Sequence, residues 1–211
     1  MKLQQQWKAR QKRRKLLVLS PTERKKVNYS QKKMEEIPWG QDEVRPDTRS
    51  LKEVNAEHNV DFMVRLRELK QRFRNQTLEV LDEAAGKSTF ATQLTEEANR
   101  EFGPNAIRIT RTDIREKGLS GLKIDRVPVE RLVEKYGKNR FHLVVSTLGG
   151  PNYTSITSIK ALANIIEVLK PGGEARVKTQ FTDPSVIRNL KKRYPKIFLF
   201  TPDNCRIMIF K

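Results

Sequence analysis

A chain in which short apolar runs alternate with helical repeats can take few architectures, and here the alternation opens at residues 78–90. Leu78-Glu79-Val80-Leu81-Asp82-Glu83 reads as a strand with an acidic end. Ala84-Ala85-Gly86 reads as a tight turn of small residues, and Lys87-Ser88-Thr89-Phe90 as the entry to a helix. In open α/β sheets a nucleotide-like ligand rests at such a strand–turn–helix, because bulky Cβ groups would hold it away from the backbone. Three chemistries use such a turn. Gly86-Lys87-Ser88-Thr89 has the ending of a phosphate-binding P-loop, but that loop needs a glycine at position 81, which is Leu. Its magnesium-binding acidic residue is also missing from the later strand His142-Leu143-Val144-Val145-Ser146, which ends in Ser. A dinucleotide fold needs Gly-x-Gly-x-x-Gly, which is not spelled here. The remaining chemistry is a cofactor held by Asp82, the small turn and a second acidic residue one strand later.

The following residues carry that third reading. Phe90, Ala91, Leu94, Ala98 and Phe102 fall at helical spacing until Gly103-Pro104. Ala106-Ile107-Arg108-Ile109-Thr110 reads as a strand with Asp113 just beyond it. A weaker strand, Lys123-Ile124-Asp125-Arg126-Val127, precedes a helix over 129–136. A strongly apolar strand at 141–146 leads into the loop Thr147-Leu148-Gly149-Gly150-Pro151-Asn152-Tyr153, and a helix is expected over 155–169. Pro171-Gly172-Gly173 breaks that helix, and a strand is expected at 175–179. Asp183 caps a helix with Pro184 at its first position. Two closing strands, at 197–200 and 206–210, flank a turn-rich connection. Strands alternating with helices predict an α/β fold: a mostly parallel sheet with helices on both faces and an antiparallel hairpin at one edge.

In this order the pieces resemble the class I S-adenosylmethionine-dependent methyltransferases, over about residues 75–211. Val80-Leu81-Asp82-Glu83-Ala84-Ala85-Gly86 resembles that family's first motif, and Leu169-Lys170-Pro171-Gly172-Gly173 resembles the turn before its fifth strand. The resemblance implies a Rossmann-like seven-stranded sheet with its last strand antiparallel, and S-adenosylmethionine as cofactor over the ends of the first strands. It implies cofactor contacts at Asp82, Ala84, Gly86, Ser88, Asp113, Asp125 and Ser146, with Asp113 on the ribose hydroxyls. Ala84 and Ser88 stand where the family usually has glycine.

For the substrate, the Asn/Asp-Pro-Pro-aromatic run of adenine amino-methylating enzymes is missing after the fourth strand. Cytosine C5 chemistry needs a cysteine nucleophile, and Cys205 lies in the closing hairpin. The nearest pattern is that of the ribosomal RNA ribose 2′-O-methyltransferases. There a lysine stands on the strand after Pro-Gly-Gly, and Lys178 matches it. Such a lysine lowers the pKa of a ribose hydroxyl and holds the developing alkoxide. That family's acidic partners would fall at Thr147 and near Cys205 or Arg206, none of them acidic. The loop from Ser146 to Tyr153 would receive the target, with Tyr153 against RNA. The alternative is a protein that keeps the fold as a non-catalytic RNA or ribonucleoprotein scaffold.

Charge argues for the partner. The chain has 43 Lys+Arg against 25 Asp+Glu in 211 residues, a net charge of +18. Residues 1–33 hold 12 basic residues and one acidic one, so +11 of that charge lies in the first sixth of the chain. Lys8, Arg10, Lys12, Arg13, Arg14 and Lys15 form the densest run. Such a segment has too little apolar surface to fold alone, so a disordered or extended arm is expected, one that orders on a polyphosphate. Trp7 and Tyr29 can stack on bases, whereas Trp39, beside Pro38, is expected to pack locally. RNA is therefore the expected partner, structured or ribosomal, with preference over DNA drawn from the resemblance. Residues 1–60 are expected to form this arm and a charged linker (34–60), and residues 61–211 one domain. Within the domain, Phe62, Leu66, Leu69 and Phe73 give its first helix an apolar stripe. A mitochondrial presequence fits the arm less well, since it is rich in Lys and Gln and has few Ser. No stretch is apolar enough to span a bilayer, and one cysteine makes no internal disulfide. An intracellular, chiefly cytoplasmic location is expected, with nucleus and mitochondrion as alternatives. His58 and His142 are read as ordinary surface or strand residues, too separated to make a zinc site with Cys205.

Overall fold

The computed structural model describes residues 49–86, 89–113, 123–149, 158–179, 182–203 and 205–211. The chain divides into two units, Met1–Arg45 and Pro46–Lys211, and all the described residues belong to the second. In order, this unit runs α1 (Leu51–His58), α2 (Phe62–Arg72), β1 (Leu78–Glu83), α3 (Thr89–Phe102), β2 (Ile107–Asp113) and β3 (Asp125–Arg126). A 3-10 turn at Val129–Arg131 leads into α4 (Leu132–Tyr136) and then β4 (Phe141–Thr147), α5 (Ser158–Val168) and β5 (Leu169–Lys178). The chain closes with α6 (Pro184–Arg193), β6 (Phe198–Asp203) and β7 (Arg206–Phe210).

The seven strands form one sheet in the order β3-β2-β1-β4-β5-β7-β6. The β1–β2, β2–β3, β1–β4 and β4–β5 pairings are parallel. β7 runs antiparallel to both β5 and β6, which makes it the one reversed strand and the closing pair a hairpin. The predicted Rossmann-like, mostly parallel sheet with an edge hairpin is therefore present. β1 is buried along its whole length, as expected of a central parallel strand covered on both faces. Alternation along the strands sorts the side chains into two cores. Val80, Leu143 and Val145 meet α1, α2 and α3 on one face, while Leu81, Val144, Ala175 and Val177 meet α4, α5 and α6 on the other.

Several elements depart from expectation. The stretch read as the end of a linker contains α1, which Ser50 opens with a capping box and Asn59 closes at φ +51°. Leu51, Val54 and His58 form its buried face. β5 begins at Leu169 rather than at residue 175. Pro171-Gly172-Gly173 does not end pairing but shifts its register, between Phe141↔Leu169 and Leu143↔Glu174. Gly172 sits at φ +81° and donates its N–H to the Lys211 carbonyl, and a Cβ on Gly173 would stand 2.9 Å from the His142 carbonyl oxygen. The weak strand shrinks to two residues, and the helix expected over 129–136 splits into a 3-10 turn and α4. As expected, Asp183 caps α6 with Pro184 in the first turn. The Asp61 carboxylate caps α2 by accepting from the Met63 and Val64 amides. α2 is pinned to the sheet by Arg65, whose Nε donates to the buried Glu174 carboxylate at 2.9 Å, where Arg176 also donates at 3.4 Å.

Candidate functional site

The strand order places a switch point at β1. From β1 the chain moves to β2 and β3 on one side, then crosses to β4 and β5 on the other. Ligands of open α/β sheets lie in the crevice outside the carboxyl ends of the strands at such a point. Asp82 and Glu83 end β1 there, with Ser146 and Thr147 ending β4 beside them. β1 then enters the small-residue turn. Ala84 has φ +61° and Gly86 φ +52°, so both occupy the left-handed region. Glycine takes that conformation freely, whereas the alanine Cβ is strained by about 1 kcal/mol. The turn is fastened to the end of β2: Ala85 N–H donates to the Thr112 carbonyl at 2.9 Å, and Gly86 N–H to Asp113 Oδ2 at 3.0 Å. Asp113, expected to meet a ribose, thus already holds the turn that would face the cofactor.

Asp82 is buried and lies in register with Arg111 of β2. Burial lowers the pKa of that guanidinium, and the Asp82 charge offsets part of the effect. Glu83, which sequence reasoning passed over, is also buried. Its Oε2 accepts a hydrogen bond from Ser146 Oγ at 2.5 Å. A Cβ at Gly149 would stand only 2.1 Å from that oxygen, so glycine lets the loop after β4 close down on the pair. Asp125 lies further along the same edge, on β3. It pairs in register with Thr112, two strands from β1, and accepts from the Tyr136 hydroxyl at 2.8 Å. Burial, then that bond, hold the Tyr136 phenol well above its ordinary pKa.

At the ends of β4 and β5, Lys178 is half-buried and lies in register with Thr147 on one side and Arg206 on the other. Its carbonyl accepts the N–H of Leu148, which has φ +54°. α1 closes over this end. Arg49 Nη1 donates to the Thr147 carbonyl at 3.3 Å, and His58 Nε2 lies 2.9 Å from Thr147 Oγ1. The expectation of His58 as an ordinary surface residue is corrected: it is 6% exposed. Burial, then the charges of Arg176, Lys178, Arg206 and Arg49, depress its pKa to about 3.

Asp82, Ala84, Gly86, Asp113 and Ser146 thus share the carboxyl edge of β1, β2 and β4, with Asp125 at the same edge on β3 and Lys178 one strand beyond β4. Ser88, Tyr153 and the basic run Lys8, Arg10 and Lys12 to Lys15 lie outside the described residues. Glu83, His58 and Arg49 were missed. For Glu83 a signal existed, a carboxylate directly after Asp82 at the end of the strand. Among the described residues no group of His, Cys, Asp and Glu is arranged to hold a metal, and no helix is long and apolar enough to cross a membrane.

No family model matches the chain, and no curated protein matches it in sequence. Solved structures do resemble it. The DszA carbon methyltransferase is 11% identical over 71% of this chain and 50% of its own, with a TM-score of 0.50. A putative rRNA-methylase from Clostridium thermocellum is 15% identical over 70% of this chain and 92% of its own, at 0.47. The Burkholderia thailandensis 1,6-didemethyltoxoflavin-N1-methyltransferase, solved with S-adenosylhomocysteine, is 14% identical over 79% and 91%, at 0.44. At such identities the likeness is one of fold. The seven-stranded sheet with its closing hairpin is the Rossmann-like methyltransferase fold.

Proposed function

We propose that this protein is an S-adenosylmethionine-dependent methyltransferase acting on RNA. The observation that carries the reading is the left-handed turn at the switch point, with the Asp82 carboxylate before it and Asp113 against it. These residues fit the cofactor's polar groups: Asp82 and the turn would hold one end, and Asp113 would reach the ribose hydroxyls. When bound, the cofactor supplies an electrophilic methyl group. The chain's own residues must orient the acceptor and take its proton. Lys178 would stabilise a ribose alkoxide, and the Glu83–Ser146 pair fixes the strand end against which the acceptor would lie. RNA is favoured by the +18 charge and its concentration in the first 33 residues, where each phosphate neutralised releases counterions.

A second reading rests on a specific observation. The Gly86 amide and the Asp113 carboxylate satisfy each other, and Ala84 has a methyl where glycine would leave space. A scaffold that keeps the fold without the cofactor accounts for both. Calorimetric titration of the full chain with S-adenosylmethionine and S-adenosylhomocysteine, repeated on Asp82→Ala, separates the two. Binding that the variant loses supports the enzyme. No binding at millimolar ligand, with and without RNA, leaves the scaffold. If methyl transfer is found, unchanged turnover in Lys178→Ala would exclude the ribose-directed form.

A further inference from the structure

We infer that the face of β6 and β7 turned away from α6 is a stacking platform for the unpaired bases of single-stranded RNA. The inference rests on the RNA reading above and gives it a surface. β6 is the last strand of the sheet, with β7 on its inner side. Its alternation is clear: Leu199 joins Ile207 and Ile209 in the core under α6, while Phe198 and Phe200 project from the other face, 64% and 47% exposed. Their ring centroids lie 6.4 Å apart at 24°, nearly parallel, and Phe210 of β7 extends the surface at 5.9 Å from Phe198. Large rings left in water on an edge strand invite unwanted pairing and mark binding surfaces.

The charge on the same face selects the occupant. By register, the partly exposed Lys178 of β5 and Arg206 of β7 share the face with Phe198, Phe200 and Phe210, while Arg176 on the same face is buried against Glu174. The Arg176 guanidinium carbon lies 5.3 Å from the centre of the Phe210 ring. The carboxylates of this face are matched by arginines, Glu174 by Arg65 and Arg176 and Asp203 by Arg206, and Lys178 adds a further positive charge. Exposed Lys196 stands just before the first ring. Rings for base faces beside cations for phosphates are what single-stranded RNA needs, whereas the bases of a duplex are already stacked on one another. A second copy docked here would bring these cations against their own kind.

The test is fluorescence anisotropy of a labelled 12-nucleotide single-stranded RNA with the full-length protein at several salt concentrations. Phe198→Ala/Phe200→Ala should weaken binding about tenfold or more. The plot of log affinity against log salt should keep its slope, because no phosphate contact is removed. Phe198→Tyr/Phe200→Tyr should restore affinity, and circular dichroism should show all three proteins equally folded. Wild-type affinity in the alanine variant overturns the platform while leaving the RNA reading intact. No RNA binding by the wild-type protein at low salt overturns both. A wild-type dimer that the alanine variant converts to monomer, with RNA affinity unchanged, assigns the face to a second copy and also overturns it.

Discussion

Lowering the pH from about 7.5 to about 5 should remove about 2 kcal/mol of stability through His58 alone. The ring is 6% exposed, lies edge-on to Phe62 with centroids 5.7 Å apart, and has its Nε2 2.9 Å from Thr147 Oγ1. Burial first, then the positive charges of Arg176, Lys178, Arg206 and Arg49, hold its pKa at about 3 against 6.5 for a free imidazole. A folded-state pKa below the unfolded one fixes the sign. The unfolded chain takes up a proton as pH falls past 6.5, and the folded chain does not until about pH 3, so stability is full above 6.5 and falls through that window. At pH 5, about 1.5 pH units into the window, about 1.36 kcal/mol per unit gives about 2 kcal/mol, roughly thirtyfold in the folding equilibrium. Urea denaturation of wild type and His58→Gln at both pH values measures it. His142, whose pKa burial and then Lys170 lower to about 4, destabilises both proteins in acid, so the difference between their losses is the readout. Equal losses in the two proteins would refute the argument, since His58 would then be titrating as it does in the unfolded chain.

Three further perturbations probe the same framework. Glu174→Gln removes the charge that Arg65 and Arg176 share in a fully buried site, and urea denaturation should show a loss of about 3 kcal/mol; a loss under about 1 kcal/mol would mean that water, not Glu174, solvates the arginines. Ala84→Gly relieves a side chain held at φ +61° and should raise stability by about 0.5–1 kcal/mol in the same assay; a loss of stability would show that the methyl group contributes more by packing than it costs in strain. Gly149→Ala drives a methyl group against Glu83 Oε2, breaks the bond from Ser146 and should cost about 1–3 kcal/mol. An unchanged melting temperature would show that the Glu83 carboxylate has somewhere else to go.

What could be read from the residues depended on how locally each feature is encoded. β4 is a nearly continuous apolar run because both faces of a central parallel strand are covered, and β1 carries Leu78, Val80 and Leu81 ahead of its acidic end, so both were legible along with the alternation that sets the sheet. The Asp183-Pro184 start of α6 is encoded in adjacent residues and was legible as well. α1 was not, because its buried face is only Leu51, Val54 and His58, too few repeats for a periodic signal. The start of β5 was misread because Pro-Gly-Gly normally ends pairing; here Lys211, far along the chain, bonds the backbone of Gly172 and Gly173 and lets the strand continue around a bulge. The same division runs through the site. Asp82, Gly86 and Asp113 are announced by their places at strand ends, whereas the Glu83–Ser146 and His58–Thr147 pairs join residues 63 and 89 positions apart.

Magnitudes bear on whether the closed bond between Gly86 and Asp113 argues against a cofactor. A hydrogen bond from an amide to a charged acceptor is worth about 1.5–3 kcal/mol net, so a ligand that must replace it gives up roughly 10- to 150-fold in affinity. Micromolar binding corresponds to about 8 kcal/mol, which absorbs that loss and still leaves a measurable complex. The left-handed Ala84 adds strain that the protein bears with or without ligand, so it lowers stability rather than affinity, apart from the room its methyl group occupies. A working site built on this turn should therefore bind weakly, in the tens to hundreds of micromolar, and Ala84→Gly should tighten it. A scaffold should show neither. That makes the response to Ala84→Gly more discriminating than wild-type affinity alone: weak binding that glycine improves identifies a cofactor lying against the turn, and weak binding that glycine leaves unchanged places the ligand elsewhere.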